Sequence, residues 1–417
     1  MNILIKGATI VHAADKNLHL KKRDILIKDG IIEKIASKIP ENDKLQVISH
    51  KNLHVSIGWF DSSVSFGEPG YEERETISNG LRTAAKSGFT DIVLNPNANP
   101  LPDSSSDIVF LKNAAIGEAT NLHPMATLTV KSEGVVLAEL YDMMNSGAVG
   151  FYDYKQAISN ANLLKIALQY TQNFDGLVHS FPMDTQIAGK GVVNEGEIST
   201  QLGLKGIPAL AEELQIARDL FILEYTDGKL HIPTISSAKS VSLIAEAKKK
   251  GLNVSCSVAV HNLVYTDDVL TEFDTNYKVM PPLRTKKDTK ALIKGLKKGT
   301  IDFVTTDHTP INIEEKRVEF DNAAYGSIGL ESAFGTLNTI FDIETTIALL
   351  TKGRERYQIA NPSIKEGEKA CLTLFEPKEE YNFTKEAIYS TSKNSVFVNS
   401  KAKGKVFGII QERNAIF

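Results

Sequence analysis

The chain has 417 residues, of which 42% are hydrophobic and 24% are charged, and its net charge at pH 7 is −4. This composition is that of a globular protein, and the slight acidic excess without a basic patch argues against nucleic-acid binding. The two cysteines, Cys256 and Cys371, are too few for a disulfide framework, and no apolar run resembles a signal peptide or a membrane span. We therefore expect a cytoplasmic protein without membrane contact.

Both ends of the chain are predicted to be rich in β-strands. Residues 1–54 contain β-branched runs broken by Gly, Asp and Asn, such as NILIKGATIV and RDILIKDGIIEKIA. Residues 361–417 show the same pattern in ACLTLFEP and SVFVNSKAKGKVFGIIQE. We expect these two segments to meet in one small β-sandwich domain.

Residues 55–360 alternate strand and helix patterns. The eight strand candidates are, in chain order, HVSIGWFDSSV, TDIVLNP, HPMATLTV, AVGFYDY, GLVHSF, KLHIPTIS, NVSCSVAV and IDFVTTDH. Helical segments such as TISNGLRTAAKSG and DTKALIKGLKKG separate most of them, and several end at glycine. Eight such units predict an α/β fold, a (β/α)8 TIM barrel with its helices outside.

In such a barrel the reactive side chains follow the C-terminal ends of the strands. The polar residues at these ends are Asp61, Ser63, Ser65, Asn95, Asn97, Asn99, Asp153, Tyr154, Lys155, His179, His231, Asp307 and His308. Two imidazoles and a carboxylate from separate strands, His179, His231 and Asp307, could bind one divalent metal. A single strand-end histidine is more often a structural hydrogen-bonding residue, and this alternative remains open. The three residues cannot fill a two-metal site.

Several longer motifs carry a resemblance to a known family. They are DSSVSFGEPG followed by YEERETISNG, then NPNANP, YKVMPPLR, TTDHTPI and YGSIGLESAF. Together, and over nearly the whole chain, these motifs resemble the class I dihydroorotases of the amidohydrolase superfamily. The resemblance implies a metal-dependent-hydrolase barrel and cyclic amide hydrolysis in pyrimidine biosynthesis. It also implies that Asp307 is the catalytic aspartate and that Asn97 contacts the substrate.

The strand-one motif departs from the family pattern Asp-x-His-x-His-x-Arg-Glu-Pro-Gly. Ser63 and Ser65 stand where the family has two histidine metal ligands, and Gly67 stands where it has the arginine that holds the substrate carboxylate. Serine hydroxyls are poor zinc ligands, and glycine offers no charge. The strand-one side of the expected site therefore lacks its metal-binding groups.

Other positions also differ from the family pattern at expected metal-binding or substrate-binding residues. The family's fourth strand ends in Phe-x-Asp-Asp-Gly, and Tyr154 aligns with the second Asp, which bridges the metals. Met280 replaces an asparagine and Ile311 replaces a histidine, both expected near the substrate. Of six expected metal ligands only His179, His231 and Asp307 remain. We therefore expect no two-metal centre, and either no cofactor or a single weakly bound zinc.

Lys155 allows a competing interpretation. Related hydantoinases carry a carboxylated lysine at the end of strand four in a Tyr-Lys context, and this chain has Tyr154-Lys155. A carbamate on Lys155 could replace the missing bridge between metals. The simpler alternative is a solvated loop lysine.

Two functions are compatible with these residues. The first is a dihydroorotase-like protein that is catalytically inactive or impaired and acts by binding, most naturally to aspartate transcarbamoylase, as inactive homologues in this family do. The second is an active dihydroorotase or another cyclic amidohydrolase with a reduced single-zinc site. The resemblance also implies a homodimer.

Overall fold

The computed structural model describes residues 1–417. Its strands are β1 (Asn2–Val11), β2 (Lys22–Lys28), β3 (Ile31–Ala36), β4 (Gln46–Ile48), β5 (His54–Ile57), β6 (Trp59–Val64), β7 (Phe89–Leu94), β8 (Asn121–Pro124), β9 (Val178–His179), β10 (Val193–Asn194), β11 (Gly206–Ile207), β12 (Leu230–Ile232), β13 (Val254–Ala259), β14 (Phe303–Thr305), β15 (Cys371–Asn382), β16 (Lys401–Gln411) and β17 (Asn414–Ile416).

The helices surround the barrel or connect its strands. They are α1 (Ile77–Lys86), α2 (Ser105–Ala114), α3 (Leu140–Asn145), α4 (Ala161–Thr171), α5 (Thr185–Ala188), α6 (Glu197–Leu202), α7 (Ala209–Thr226), α8 (Ala238–Lys249), α9 (Lys286–Lys297), α10 (Ile313–Lys316), α11 (Leu330–Ile340) and α12 (Ile343–Thr351). None of them is both long and apolar enough to cross a membrane.

One sheet combines strands from both ends of the chain. Its order is β17-β16-β15-β5-β1-β2-β3, with β4 also paired to β1. The two ends meet where β5 pairs antiparallel with β15, Val55 lying opposite Leu374. Apolar residues at alternating positions, such as Ile3 and Ile5 of β1, form the buried core of this sheet. The prediction that both termini build one β domain is confirmed, while its limits at residues 54 and 361 stay a prediction.

The barrel strands follow one another in parallel, as predicted. β6, β7 and β8 form one run and β9, β12, β13 and β14 form another. Bridges of Phe151 to Ala126 and to Val178 connect the two runs at the fourth strand position. A bridge from Val64 to His308 closes the ring. The (β/α)8 barrel is therefore confirmed, and its C-terminal strand ends lie together on one face.

Aromatic packing joins the barrel to the terminal sheet. Trp59 opens β6 and is fully buried, with its ring centroid 4.9 Å from that of Phe334 and 5.7 Å from that of Phe375. Phe375 belongs to β15 of the terminal sheet, whereas Phe334 lies on α11 of the barrel. Buried aromatic residues contribute much of a core's apolar area. This contact fixes the first barrel strand, and hence the residues that follow it, relative to the sheet.

Candidate functional site

The first barrel strand, β6, carries a carboxylate whose partners are all part of the framework. Asp61 accepts hydrogen bonds from the Thr305 hydroxyl (2.5 Å) and from the backbone amides of Thr306 and Ser63 (both 3.0 Å). Its side chain is buried. A buried carboxylate with three donors is satisfied, so Asp61 ties the first strand to the eighth instead of facing a ligand.

An ionic cluster, formed by Lys155, Asp307, Ser63, Ser65 and Asn95, occupies the barrel mouth. The Lys155 Nζ lies 3.0 Å from Asp307 Oδ2. The Ser63 hydroxyl donates to Asp307 Oδ1 at 3.3 Å. The Asn95 amide donates to the hydroxyls of Ser63 (3.0 Å) and Ser65 (3.1 Å). Both serines at the lost histidine positions are therefore held by hydrogen bonds within the chain.

The expectation that Lys155 is a solvated loop lysine is wrong. Only 15% of its side chain is exposed, and 3% of that of Asp307. Although burial disfavours its charge, the Asp307 carboxylate raises the pKa of Lys155 above its ordinary value. The side chain is therefore a charged ammonium, and a carbamate there would place a second negative group beside Asp307.

The two strand-end histidines, His179 and His231, form a separate pair. Their ring centroids are 4.5 Å apart, because β9 and β12 are neighbours with His179 opposite His231. Both ring nitrogens of His231 lie within hydrogen-bond distance of serines, Nδ1 at 2.8 Å from Ser255 and Nε2 at 3.2 Å from Ser257. His179 Nε2 is buried and has no hydrogen-bond partner.

The surroundings keep this histidine pair uncharged. Burial lowers the pKa of His179 to about 3 and lowers that of His231 well below its ordinary value. The His231 ring also stacks on Phe303, with centroids 5.2 Å apart and planes 4° apart. Neutral imidazoles packed against aromatic rings and serines are typical of a core as much as of a metal site.

The residues present do not fit the zinc centre that the family pattern implies. Nowhere in the chain do three His, Cys, Asp or Glu side chains gather closely enough to hold a metal ion. Asp307 is engaged by the ammonium of Lys155, and both nitrogens of His231 have serine partners. A cation beside the remaining carboxylate repels a second one. No reaction step through a metal follows from this geometry.

The positions that the resemblance places near the metals or the substrate, Tyr154, Met280 and Ile311, have partners within the chain. Tyr154 places its hydroxyl 3.2 Å from that of Thr309. Ile311 is buried and bound through its backbone amide to Asn394. Met280 packs against the apolar cluster that contains Phe181 and Tyr357. Met280 and Ile311 present no polar group, and the hydroxyl of Tyr154 is engaged with Thr309.

The loop after strand one has no room for an arginine side chain at position 67. Gly67 accepts a hydrogen bond from the amide of Tyr71, and a Cβ at Gly67 would lie 1.8 Å from the Tyr71 carbonyl oxygen. Any side chain at this position requires a different backbone. Asn97 donates its amide to the Phe66 carbonyl (3.1 Å) and so braces the same loop.

The retained motif residues have structural partners. Glu68 of the EPG motif accepts from the amide of Ile77 at the start of α1 (2.8 Å). Arg284 of PPLR is buried and donates to the Ile207 carbonyl (2.7 Å). Glu331 of GLES accepts from the Ser390 hydroxyl (2.6 Å), which ties α11 to the C-terminal segment. The EPG, PPLR and GLES motifs therefore stabilise the fold through these hydrogen bonds.

Sequence reasoning missed the serines that bind His231. Ser255 lies directly opposite His231 in the parallel register of β12 and β13. Because side chains alternate along a strand, Ser257 faces the same side as Ser255. The signal was the alternating SCS of the seventh strand beside a histidine strand. Lys155 gave no such signal, since its partner lies 152 positions away in the chain.

A cavity of about 730 Å³ lies beside this site. Its lining includes Ile311, four residues after Asp307, together with Asp274, Arg317 and Lys393 of the surrounding loops. At the barrel mouth Ser63, His179 and Asp307 are all buried.

Comparison with protein families and curated sequences identifies close relatives. Residues 54–240 match a family model described as dihydro-orotase-like. A dihydroorotase of Caldicellulosiruptor saccharolyticus is 40% identical over 405 residues, covering 95% of this chain and 94% of the relative. A dihydroorotase of Caldanaerobacter subterraneus is 37% identical over 415 residues, covering 97% of this chain and 95% of the relative.

Solved structures show the same fold at lower identity. The L-hydantoinase (dihydropyrimidinase) of Arthrobacter aurescens superimposes with a TM-score of 0.85 at 18% identity, covering 100% of this chain and 96% of that one. A dihydropyrimidinase of Brevibacillus agri gives a TM-score of 0.82 at 21% identity, covering 100% and 95%. At this identity the likeness concerns the architecture of barrel and β-sandwich.

Proposed function

Because this chain belongs to the dihydroorotase family, we propose that it is a dihydroorotase-like protein of pyrimidine biosynthesis that has lost the cyclic amidohydrolase reaction and acts by binding. The observation that carries the proposal is the ion pair of Lys155 with Asp307, 3.0 Å long and almost fully buried. It occupies the carboxylate that the resemblance makes catalytic. A general base must be free to reach the proton it takes, and this one is held by an ammonium.

The separation between lost and retained residues supports the same conclusion. Histidine ligands and the carboxylate-binding arginine are replaced, whereas Glu68, Arg284 and Glu331 keep their structural partners. A chain that kept its fold for a surface function would show this pattern. The direct test is cyclisation of carbamoyl aspartate by the purified chain with added zinc.

The proposed partner is aspartate transcarbamoylase, with the chain located in the cytoplasm. The full chain is mixed with the aspartate transcarbamoylase of its own organism, and the mixture is analysed by size-exclusion chromatography with light scattering. We expect a complex of defined mass at micromolar concentration. An unrelated barrel protein of similar size is the control. Separate elution of both proteins at about 10 μM, a concentration at which a weak specific complex forms, would reject this partner.

The chain is also proposed to form a homodimer, and α7 offers a self-complementary surface. Leu210, Leu214, Ala217, Phe221 and Tyr225 lie along one side of this helix, and Phe221 and Tyr225 are 72% and 76% exposed. In an antiparallel pair of α7 helices, Leu210 meets Tyr225 of the partner and Leu214 meets Phe221. The small Ala217 lies at the crossing point. An isologous interface requires this reciprocity.

Charge does not oppose such a pairing. The neighbouring Glu224 already forms an ion pair with Lys250 of the same chain, at 2.9 Å. Two copies could therefore meet on the apolar stripe of α7 without burying an unpaired carboxylate.

We expect Phe221→Glu to convert the dimer to a monomer, because it places two carboxylates opposite apolar side chains. The matched control is Phe110→Glu, which changes an exposed phenylalanine of α2. Light scattering gives the mass of both variants. A dimeric Phe221→Glu variant, or a monomeric wild type, would contradict this surface.

An active cyclic amidohydrolase with one zinc is the second candidate. It is favoured by the unpartnered Nε2 of His179 and by the names of the relatives. It requires Asp307 to be free of Lys155. Elemental analysis together with the cyclisation assay separates the two candidates.

A further inference from the structure

We propose that the ammonium of Lys155 replaces the metal cation of this barrel, so that an internal ion pair with Asp307 holds the strand ends together without any metal. The inference goes beyond the loss of activity, because an inactive protein could still keep a structural zinc. It assigns the structural role of a metal to Lys155 and Asp307.

The geometry places the cation among groups from three strand positions. Lys155 follows the fourth position, Asp307 follows β14, and Ser63 lies on β6. Nζ to Oδ2 is 3.0 Å and Ser63 Oγ to Oδ1 is 3.3 Å, so both carboxylate oxygens are bound. A metal bridges strands in this way through ligands from several of them. Here one lysine supplies the positive charge and the hydroxyl supplies the second contact.

The backbone supports the placement. Lys155 has φ 55° and Asp307 has φ 49°, both in the left-handed region that favours glycine. A left-handed conformation is unfavourable for a residue with a Cβ. Contacts such as the ion pair with Asp307 favour such a conformation.

Burial decides that the pair matters for stability. The two side chains are 15% and 3% exposed, so removing one partner leaves a charge in a site with little water. Nearby imidazoles do not compensate, since the buried His179 Nε2 and both ring nitrogens of His261 have no hydrogen-bond partner and so donate nothing to Asp307.

The test compares thermal unfolding of the full chain and its variants with EDTA and with added zinc. The variants are Lys155→Met, Asp307→Asn and the double variant. The matched control is Lys131→Met, which removes an exposed lysine that also has a left-handed backbone (φ 54°). Zinc alone is the metal probe, and bound metal is measured by elemental analysis.

We expect the wild type to carry no zinc and to have the same Tm with EDTA and with zinc. Each single variant should lower Tm by several degrees, and the double variant should lower it by less than the sum, as for two residues in contact. Lys131→Met should leave Tm unchanged. Lys155→Met behaving like Lys131→Met, an additive double variant, or a wild type stabilised by stoichiometric zinc would each overturn the proposal. A zinc-stabilised but inactive wild type would do so while leaving the proposed function intact.

Discussion

The purified protein is expected to cyclise carbamoyl aspartate at less than about 0.01 per second with added zinc, roughly three decades below the median turnover of enzymes. Two independent losses lead to this result. Asp307 is bound to Lys155 instead of being available as a base. No cluster of three metal-ligating side chains exists to activate water. The readout is the appearance of dihydroorotate, and the Caldicellulosiruptor saccharolyticus relative serves as a positive control.

Repair of single positions is expected to fail. Members of a catalytic set act together, so restoring one returns little activity. The Ser63→His, Ser65→His pair should remain inactive because Lys155 still occupies Asp307. Adding Tyr154→Asp and Lys155→Gly should raise bound zinc before it raises turnover, since Met280 and Ile311 remain.

Gly67→Arg adds a separate obstacle. Its Cβ would lie 1.8 Å from the carbonyl oxygen of Tyr71, so the loop has to be rebuilt before an arginine can reach a substrate. We expect this variant to stay inactive alone and in combination. A zinc-dependent turnover of the wild type above about 1 per second, within the usual range of enzymes, would refute the proposal that the chain is inactive.

The barrel could be predicted because each strand has a recognisable apolar run in its own short segment of sequence. Apolar runs such as FTDIVL and VSCSVA are buried along their whole length, as parallel strands in a barrel are. The fourth position was the weakest, since AVGFYDY forms only bridges at Phe151. The pairing of His179 with His231 followed from the order of neighbouring strands.

The ionic cluster could not be predicted in the same way. Lys155 reaches Asp307 because its backbone is left-handed, a conformation that the sequence YK does not signal. The closure of the loop at Gly67 likewise depends on where the Tyr71 carbonyl lies. The motifs predicted which positions depart from the family pattern, but only the three-dimensional arrangement shows which partners Lys155, Ser63 and Ser65 have.

Stability at the opposite end of the barrel depends on a different buried ion pair. Arg354 is fully buried and lies 3.0 Å from Asp91 Oδ2. The same nitrogen donates to the carbonyl oxygens of Gly58 (2.8 Å) and Trp59 (3.2 Å). Arg354 therefore binds the beginnings of the first two barrel strands. This face of a TIM barrel contributes to stability, whereas the chemistry takes place at the opposite face.

We expect Arg354→Met to lower the free energy of unfolding by about 3–5 kcal/mol, because the buried carboxylate of Asp91 loses the arginine and keeps only its hydrogen bonds with His123, Asn121 and Thr90. The matched control is Arg356→Met, two residues along. Arg356 donates to the carbonyl oxygens of Leu230 and Asn253 and to the side-chain oxygen of Asn253, and it has no carboxylate partner. Its loss should cost about 1–2 kcal/mol, because two of these three hydrogen bonds are exposed and contribute little. Urea denaturation of both variants at pH 7 measures the difference.

The pH dependence of stability shows whether Arg354→Met acts by removing the ion pair with Asp91 or by removing packing contacts. Although burial raises the pKa of Asp91, a hydrogen bond with His123 and the charge of Arg354 hold it well below its ordinary value. The stabilisation by this carboxylate is therefore complete above the unfolded pKa of about 3.9 and is lost as pH falls towards the lower folded value. The deficit of Arg354→Met should accordingly be largest at neutral pH and should narrow below about pH 4. Arg354→Met combined with Asp91→Asn should recover part of the loss at pH 7. A deficit equal to that of Arg356→Met at every pH, or no recovery in the double variant, would show that Arg354 acts only through packing.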